Sequence, residues 1–257
     1  MAANLTRGTK IRISQYALVV AVILLLEWLA RSGVVGAITL APPSEMTTTL
    51  IDLLVSGTIL NDIWQTAFAT FAAFVLATGV GIPVGWALWH WGRLQSILDP
   101  YLIAFYAMPI FAFYPMLIAI FGLNKIPIIL IAFLMSIVAI VINTANGFDQ
   151  VRDVYEQVGR SLRLSRIEAF VHIYLPAATP YIFTGLKLGF IYALIGVIAS
   201  EFILANSGLG YQVAYNYNNF ATGEMYATML LVVIIAIVTN HVLITIEDRL
   251  YQRSVSE

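Results

Sequence analysis

The sequence predicts an all-α integral membrane protein with about six transmembrane helices. Hydrophobic residues make up 60% of its 257 residues and charged residues only 11%, which leaves too few charges to cover a soluble globule of this size. A helix that crosses about 30 Å of hydrocarbon needs about 20 mostly apolar residues, and six segments meet that requirement. They are Ile13–Ala30, Ala67–Trp89, Leu102–Phe121, Ile126–Ile142, Ile182–Leu204 and Tyr226–Ile244.

The lysines and arginines predict the orientation of these spans. With both termini in the cytoplasm, only Arg31 and Lys125 lie outside, and Lys187 lies within a span. The cytoplasmic side then holds Arg7, Lys10, Arg12, Arg93, Arg152, Arg160, Arg163, Arg166, Arg249 and Arg253. Because cytoplasmic loops of membrane proteins are enriched in these residues, we expect a single transmembrane domain over 1–257 with cytoplasmic termini at 1–12 and 245–257.

The connector between the first two spans, residues 41–61, is predicted to lie outside the membrane. It starts with Pro42, Pro43 and Ser44, and the spacing of Met46, Leu50, Leu53 and Leu54 indicates a short amphipathic helix. This helix is either a simple connector on the outer face or a contact for a binding protein.

Helix-breaking residues interrupt the second and third spans. Span two holds Gly79, Gly81, Pro83 and Gly85, and either close helix packing or a role in translocation explains these glycines. Span three holds Pro109 and Pro115 among aromatic residues and methionines, so its residues either line a path or pack in the core. The candidate path residues are Tyr106, Met108, Pro109, Phe113, Tyr114, Asn143, Lys187 and Glu201.

Few ionisable residues lie within the predicted spans. Lys187 is about two turns from the cytoplasmic end of span five, close enough for its amine to reach the membrane surface. Glu201 and Glu27 lie near the outer ends of their spans, where either can reach water. Burial inside the helix bundle would instead indicate a functional role, because charged groups inside a membrane are costly.

The most informative polar segment is Gln157–Pro176. It begins as an amphipathic helix, and a turn is predicted at Arg163 and Leu164. Ser165 followed three residues later by Glu168 is the pattern of a capping box, which predicts a second helix up to Pro176. The segment lies on the predicted cytoplasmic side, between spans four and five.

Catalytic patterns are missing from the sequence. It contains no G-x-x-x-x-G-K-[ST] phosphate loop, no H-E-x-x-H and no cysteine, and its three histidines are widely separated. We therefore expect no enzymatic activity, no metal and no cofactor on this chain. The basic residues are spread in small groups, which excludes a nucleic-acid partner. A protein of this kind that moves a solute must use energy from a partner or a gradient.

A motif links Gln157–Pro176 to a known family. The permease subunits of bacterial ABC importers carry Glu-Ala-Ala, three residues, Gly, nine residues and Ile-x-Leu-Pro. Ile173, Leu175 and Pro176 match the end of this motif, whereas Gln157–Gly159 replace Glu-Ala-Ala and Arg163 replaces the glycine. The chain thus resembles the branch of type I permeases that serves sulfonates, taurine, nitrate and similar solutes. Further similar segments, in the family's order, are Pro42–Ser44, Gly81–Gly85, Leu98–Pro100, Phe121–Gly122, Asn143–Thr144 with Gly147, and Ala205–Gly210.

The resemblance implies the type I importer permease fold in a bacterial inner membrane. It implies a translocation pathway formed by two permease copies, a homodimer by expectation, with membrane lipid around them. Two copies of a separate ATPase, which binds ATP and Mg, would dock on the cytoplasmic coupling segment 148–180, and an extracytoplasmic binding protein would deliver a small anionic or polar solute. The residues implied in ATPase coupling are Glu156, Gln157, Gly159, Arg160, Ser161, Leu162, Arg163, Leu164 and Ser165. The alternative is a gradient-driven secondary transporter or channel.

Overall fold

A computed structural model describes residues 7–36, 38–151, 155, 157, 159 and 161–256. The helices in these ranges follow one another without a strand between them. They are α1 (Arg7–Arg31), α2 (Pro43–Val55), α3 (Leu60–His90), α4 (Gly92–Ala107), a 3-10 turn (Ile110–Phe113), α5 (Tyr114–Phe121), α6 (Lys125–Asp149), α7 (Arg166–Ala169), a π-helical turn (Phe170–Tyr174), α8 (Leu175–Leu204), α9 (Leu209–Asn218) and α10 (Thr222–Ser256).

Five of the described helical stretches are long and apolar enough to cross a membrane, and a bent pair gives a sixth if it counts as one span. The five cover the predicted spans one, two, four, five and six, apart from Leu204 at the end of span five, and each is longer than predicted. The helix predicted outside the membrane is also present, as α2.

Span three is not the continuous helix that the sequence predicted over Leu102–Phe121. The chain breaks between Ala107 and Ile110, and the two halves, Gly92–Phe105 and Ile110–Phe121, are bent by 81°. Met108 is extended and Pro109 precedes the 3-10 turn. Pro109 has no backbone N–H and its ring restricts the residue before it, which explains why the helix ends here.

The chain forms two compact units. One unit comprises residues 61–211 and 234–257, and its central element is α6. Small residues let α3 and α8 approach α6 closely: a Cβ on Gly85 would lie 2.7 Å from the Val141 carbonyl oxygen, and one on Gly196 would lie 2.8 Å from the Ala132 Cα. Close helix packing therefore explains Gly85. This was one of the two interpretations given above for the glycines of span two.

The other unit comprises residues 1–60 and 212–233. Its α1 and α2 are tied together by Glu27, whose carboxylate accepts hydrogen bonds from the Ser44 backbone N–H at 3.0 Å and from the Ser44 hydroxyl at 2.8 Å. Glu27 also pairs with Arg31. Because Pro42 has no side-chain donor or acceptor at the helix start, Glu27 stabilises the N-terminus of α2 instead.

Candidate functional site

The turn of the candidate coupling segment is closed by backbone hydrogen bonding. Gln157, Gly159 and Ser161 are helical, whereas Glu156 and Arg160 lie outside the described residues. The Leu164 N–H donates to the Gly159 carbonyl at 3.1 Å, which is the six-to-one bond of a Schellman motif. Arg163 occupies the left-handed position of that motif with φ 53°. The predicted turn is thus present, with arginine where glycine is usual.

The second helix starts at the predicted capping box. The Ser165 hydroxyl accepts a hydrogen bond from the Glu168 N–H at 3.3 Å, and the Glu168 carboxylate accepts one from the Ser165 N–H at 2.8 Å. Two backbone donors of the helix start are satisfied in this way. Between Gly159 and Glu168 the chain is therefore held by local hydrogen bonds on both sides of Arg163.

Pro176 does not end the second helix, which corrects the prediction from sequence. A π-helical turn at Phe170–Tyr174 leads directly into α8, and Pro176 is the second residue of α8. The Leu175 N–H bonds back to the Phe170 carbonyl, five residues away instead of four. This wider turn is a known way to fit a residue that disturbs the α-helical hydrogen-bond ladder, such as proline. Leu175 and Pro176 consequently continue into the membrane span.

The two ends of the motif are in contact. Gly159 is buried, and a Cβ there would lie 2.7 Å from the Ile173 Cδ1. Gly159 is thus packed against the π-helical turn that follows the second helix. Only a residue without a side chain fits this contact as it stands.

Aromatic rings fix the segment to the ends of α3 and α6. Trp89 stacks on Phe148 with ring centroids 5.0 Å apart, and its centroid lies 5.1 Å from that of Tyr174. Phe170 stacks on Phe148 at 5.9 Å and meets Trp86 edge-on at 6.2 Å. Each such pair contributes about 0.5–1.5 kcal/mol in addition to the free energy gained by burying its apolar surface. This cluster therefore anchors the segment rigidly.

Two large aliphatic side chains of the segment are exposed. Leu162 is 67% exposed and Ile167 is 77% exposed, on either side of the turn at Arg163. A cavity of about 610 Å³ lies between the turn and the aromatic cluster. It is lined by Trp86, Trp89, His90, Gly159, Leu164, Arg166, Ile167, Ala169, Phe170, Ile173 and Tyr174. The turn therefore presents an apolar surface next to the exposed Arg163 and Arg166.

The predicted path residues do not form one group. Met108 and Pro109 line a cavity of about 200 Å³ at the break of span three, together with Phe105, Ile110, Phe111, Leu134, Met135, Val138 and Tyr192. Phe113 is 36% exposed, whereas Tyr114 is only 1% exposed and belongs to the core. Tyr106 lies at the end of α4. Asn143 donates its amide to the Ala139 carbonyl at 2.8 Å on its own helix.

Lys187 pairs with a carboxylate outside the predicted spans. Its ammonium group pairs with Glu247 of α10, and the Thr184 hydroxyl donates to the same carboxylate at 2.8 Å. The exposed fractions of the two charged side chains are 18% and 21%. Lys187 is therefore neutralised within the protein. Glu247 was missed because it lies three residues beyond the predicted end of span six.

Glu201 is buried, with 2% exposure, and takes part in a polar cluster that holds the turn after α8. Its carboxylate accepts hydrogen bonds from the Thr66 hydroxyl at 2.8 Å and the Gly210 N–H at 3.1 Å. Asp62 accepts the Gly208 N–H at 2.7 Å. The sequence-based prediction did not include Asp62 and Thr66 as partners of this turn. They lie one helical turn apart at the start of α3, and two polar residues at this spacing share one face of an otherwise apolar helix, which was a signal of a polar cluster. Lys187 and Glu201 are separated by 14 residues of α8, roughly 21 Å.

Comparisons with known proteins agree with this architecture. The sequence pattern of the family described as "binding-protein-dependent transport system inner membrane component" matches residues 77–255. A probable ABC transporter permease protein of Brucella melitensis is 27% identical, over 84% of this chain and 88% of its own. The nitrate import permease protein NrtB of Synechococcus elongatus is 31% identical over 64% of this chain and 59% of its own. A putative aliphatic sulfonates transport permease protein, SsuC of Bacillus subtilis, is 27% identical over 85% of this chain and 79% of its own.

Among solved structures, a chain of the MetNI methionine ABC transporter in an inward-facing conformation matches with a TM-score of 0.61. The identity is 19%, and the match covers 75% of this chain and 95% of the other. At this identity the likeness concerns the fold alone.

The long apolar helices and the broken third span are those of a multi-span membrane protein. The chain belongs to the family of inner membrane components of binding-protein-dependent transport systems, because the family's pattern covers well over half of it. It is a permease component of an ABC importer, which decides against a gradient-driven secondary transporter or channel.

Proposed function

We propose that this permease imports a small anion with energy from a separate ATPase that docks on the turn between Leu162 and Ile167. The exposed apolar pair carries this proposal, because two large aliphatic side chains on a rigid, arginine-flanked turn suit a hydrophobic groove with an acidic rim. The aromatic anchor supports it further. A force on the turn passes directly to α3, α6 and α8 through Trp89, Phe148 and Tyr174.

We propose the remaining parts of the assembly from what membership of the family implies. The importer contains two permease copies, with a homodimer as the simplest arrangement, two ATPase copies that bind ATP and Mg, and an extracytoplasmic binding protein. This chain itself binds no cofactor and hydrolyses no ATP. Both termini and the segment around Arg163 face the cytoplasm, and α2 and α9 face outward, in keeping with the positive-inside distribution of charge.

The substrate class is supported by the relatives named above. Their names state nitrate import and aliphatic sulfonate transport, and both solutes are small oxyanions. Nitrate, a sulfonate or a similar anion is therefore the substrate that we propose for this chain.

The docking surface is tested by co-purification from cells that express the permease with its ATPase. Leu162→Glu and Ile167→Glu place a charge in the proposed apolar contact, and each is expected to reduce the bound ATPase at least tenfold. Val55→Glu is the matched control, because Val55 is 84% exposed but lies on α2. Full ATPase recovery with both turn variants would overturn the proposed docking surface.

A further inference from the structure

A small cavity of about 150 Å³ lies where α5, the start of α6 and the end of α8 meet. It is lined by Tyr114, Ile118, Leu123, Asn124, Lys125, Ile128, Ala205, Asn206 and Ser207. A single water needs roughly 10–15 Å³ of such space, whereas sites for drug-sized ligands start at about 300 Å³. The cavity thus has room for a solute of a few heavy atoms. It belongs to the end of the bundle that the charge distribution places outside.

A buried tyrosine lines the cavity. Tyr114 is 1% exposed, and its hydroxyl can donate one hydrogen bond. Buried hydroxyl groups normally find a partner, because an unmade hydrogen bond in the interior is costly. A ligand with an acceptor oxygen inside the cavity would accept this bond.

The cavity is also lined by a cationic side chain, that of Lys125. Lys125 is the first residue of α6 and forms no ion pair with a carboxylate in the described part of the chain; its ammonium group lies 5.1 Å from the centroid of the Phe68 ring. A lysine at a helix N-terminus is unfavourable, because the helix dipole is positive there. An anion in the cavity would compensate the lysine and the helix end together.

Further polar groups come from the chain after α8. Asn206 is exposed at the mouth of the cavity and Ser207 is half-buried, and both can donate hydrogen bonds. The backbone that follows them is fixed: the Gly208 N–H donates to Asp62 at 2.7 Å and the Leu209 N–H donates to Thr66 at 2.9 Å. This wall of the cavity is therefore held in place before any ligand arrives.

One acidic group lies nearby. Glu201 interacts electrostatically with both Tyr114 and Lys125. It does not line the cavity, and its two oxygens accept hydrogen bonds from Thr66 and Gly210. The donors of Thr66 and Gly210 reduce its repulsion of an anion.

We propose that this cavity is an outer binding site for a small oxyanion, nitrate or the sulfonate group of an organic acid. Lys125 supplies the charge, Tyr114 donates a hydrogen bond at the closed end, and Asn206 and Ser207 contact the anion at the mouth. Charge-assisted hydrogen bonds of this kind are the strong ones in proteins, so a few of them give selectivity for an anion over a neutral solute of the same size. This inference rests on the proposed import of a small anion.

The test is titration calorimetry of the purified permease–ATPase complex with sodium nitrate and, separately, with sodium methanesulfonate. Ionic strength is kept constant with gluconate. The wild type is expected to bind at least one of the two anions, and the two titrations distinguish nitrate from sulfonate. Lys125→Gln and Tyr114→Phe are each expected to raise Kd roughly tenfold, because each removes one strong interaction.

Matched controls are Arg93→Gln and Tyr101→Phe, which make the same chemical changes at exposed positions outside the cavity. Both controls should leave Kd unchanged. Unaltered thermal midpoints for Tyr114→Phe and Lys125→Gln show that any loss of binding is local. Asn206→Leu, at the exposed mouth, provides a further test if Tyr114→Phe or Lys125→Gln fails to fold, and it too should weaken binding.

Two outcomes overturn the site: no heat of binding from either anion with the wild type, or binding that none of the three cavity variants weakens. Either outcome would refute the site but not the proposed function, because ATP-driven anion uptake is measured separately in vesicles. Conversely, uptake can fail for every small anion while Lys125-dependent binding persists, which would refute the proposed function and not the site.

Discussion

Gly159 lies against Ile173 so closely that a Cβ on Gly159 would come within 2.7 Å of the Ile173 Cδ1. The two residues are 14 positions apart, at the two ends of the candidate coupling motif. Their contact joins Gly159, at the start of the turn, to the π-helical turn that leads into α8. Movement of the exposed turn would therefore carry the start of α8 with it.

This contact predicts a graded response to side-chain size at Gly159. Gly159→Ala is expected to be tolerated, because the atom that it meets is the mobile end of the Ile173 side chain and because alanine favours a helix by about 1 kcal/mol over glycine. Gly159→Leu cannot fit and should separate the two helices. We expect it to lower ATP-driven uptake at least tenfold while membrane insertion is kept, measured by uptake assays and membrane fractionation.

The double variant Gly159→Leu with Ile173→Ala makes room for the new side chain and serves as the control. Recovery of uptake in this variant indicates that the fit between the two positions matters. Normal transport by Gly159→Leu alone would mean that the packing of the two ends is not needed for coupling.

Arg163 holds a left-handed backbone conformation, with φ 53°, that glycine adopts freely. Arg163→Gly is expected to stabilise the turn by roughly 1 kcal/mol, since L-residues pay about that amount for this conformation. Arg163→Asn should have a smaller effect and Arg163→Val should destabilise, because a β-branched residue is least suited to positive φ. We expect the thermal stability of the purified complex to decrease in the order Gly, Asn, Arg, Val at position 163, as measured by thermal unfolding. A reversed order would contradict the geometry of the turn.

The charge of Arg163 is tested separately from its backbone. Arg163→Glu keeps the need for positive φ but reverses a charge next to the proposed docking surface. We expect intact insertion and a clear loss of bound ATPase or of coupled transport. Unchanged assembly and transport would remove Arg163 from the coupling surface.

Two glycines of α3 allow a matched comparison of packing. A Cβ on Gly85 would lie 2.6 Å from the Thr144 Cβ, whereas nothing lies within 4 Å of one on Gly79. Gly85→Ala is expected to destabilise the fold by about 1–3 kcal/mol through overpacking, and Gly79→Ala should leave it unchanged or slightly more stable. Denaturation of both variants in detergent measures the difference, and equal stability would contradict the observed approach of α3 to α6.

The pair of Lys187 and Glu247 is expected to join α8 to α10. Both side chains are mostly buried, so Lys187→Met or Glu247→Leu alone leaves an uncompensated charge and should destabilise by about 2–4 kcal/mol. The double variant Lys187→Met with Glu247→Leu removes both charges and should recover much of the loss. A double-mutant cycle from thermal unfolding checks this coupling, and simple additivity would indicate that the two groups do not interact.

Local sequence patterns predicted the local features of the fold well. Runs of apolar residues located five of the spans, and the Ser165 and Glu168 pair located the start of a helix. These features depend on neighbours within a few positions, so the sequence contains the information directly. The turn at Arg163 was predicted for the same reason, although arginine is an unusual residue for it.

Features that depend on distant residues were not predictable. The burial of Glu201 depends on Thr66, 135 positions away, and the pairing of Lys187 depends on Glu247, 60 positions away. The predicted helix end at Pro176 was wrong because the π-helical turn before it relieves the conflict that normally ends a helix. The bend of span three lies at Pro109, whereas Pro115 lies in the first turn of α5. The sequence showed two prolines in this span but did not indicate which of them breaks the helix.

The central claim is that a separate ATPase, and not an ion gradient, powers transport through this chain. The most direct measurement is uptake of labelled nitrate and of a labelled alkanesulfonate into vesicles that contain the permease, its ATPase and its binding protein. We expect uptake of one of these anions that requires ATP and the ATPase, persists with an ionophore, and falls with Leu162→Glu but not with Val55→Glu. Uptake by the permease alone that needs no ATP and stops with an ionophore would contradict the account.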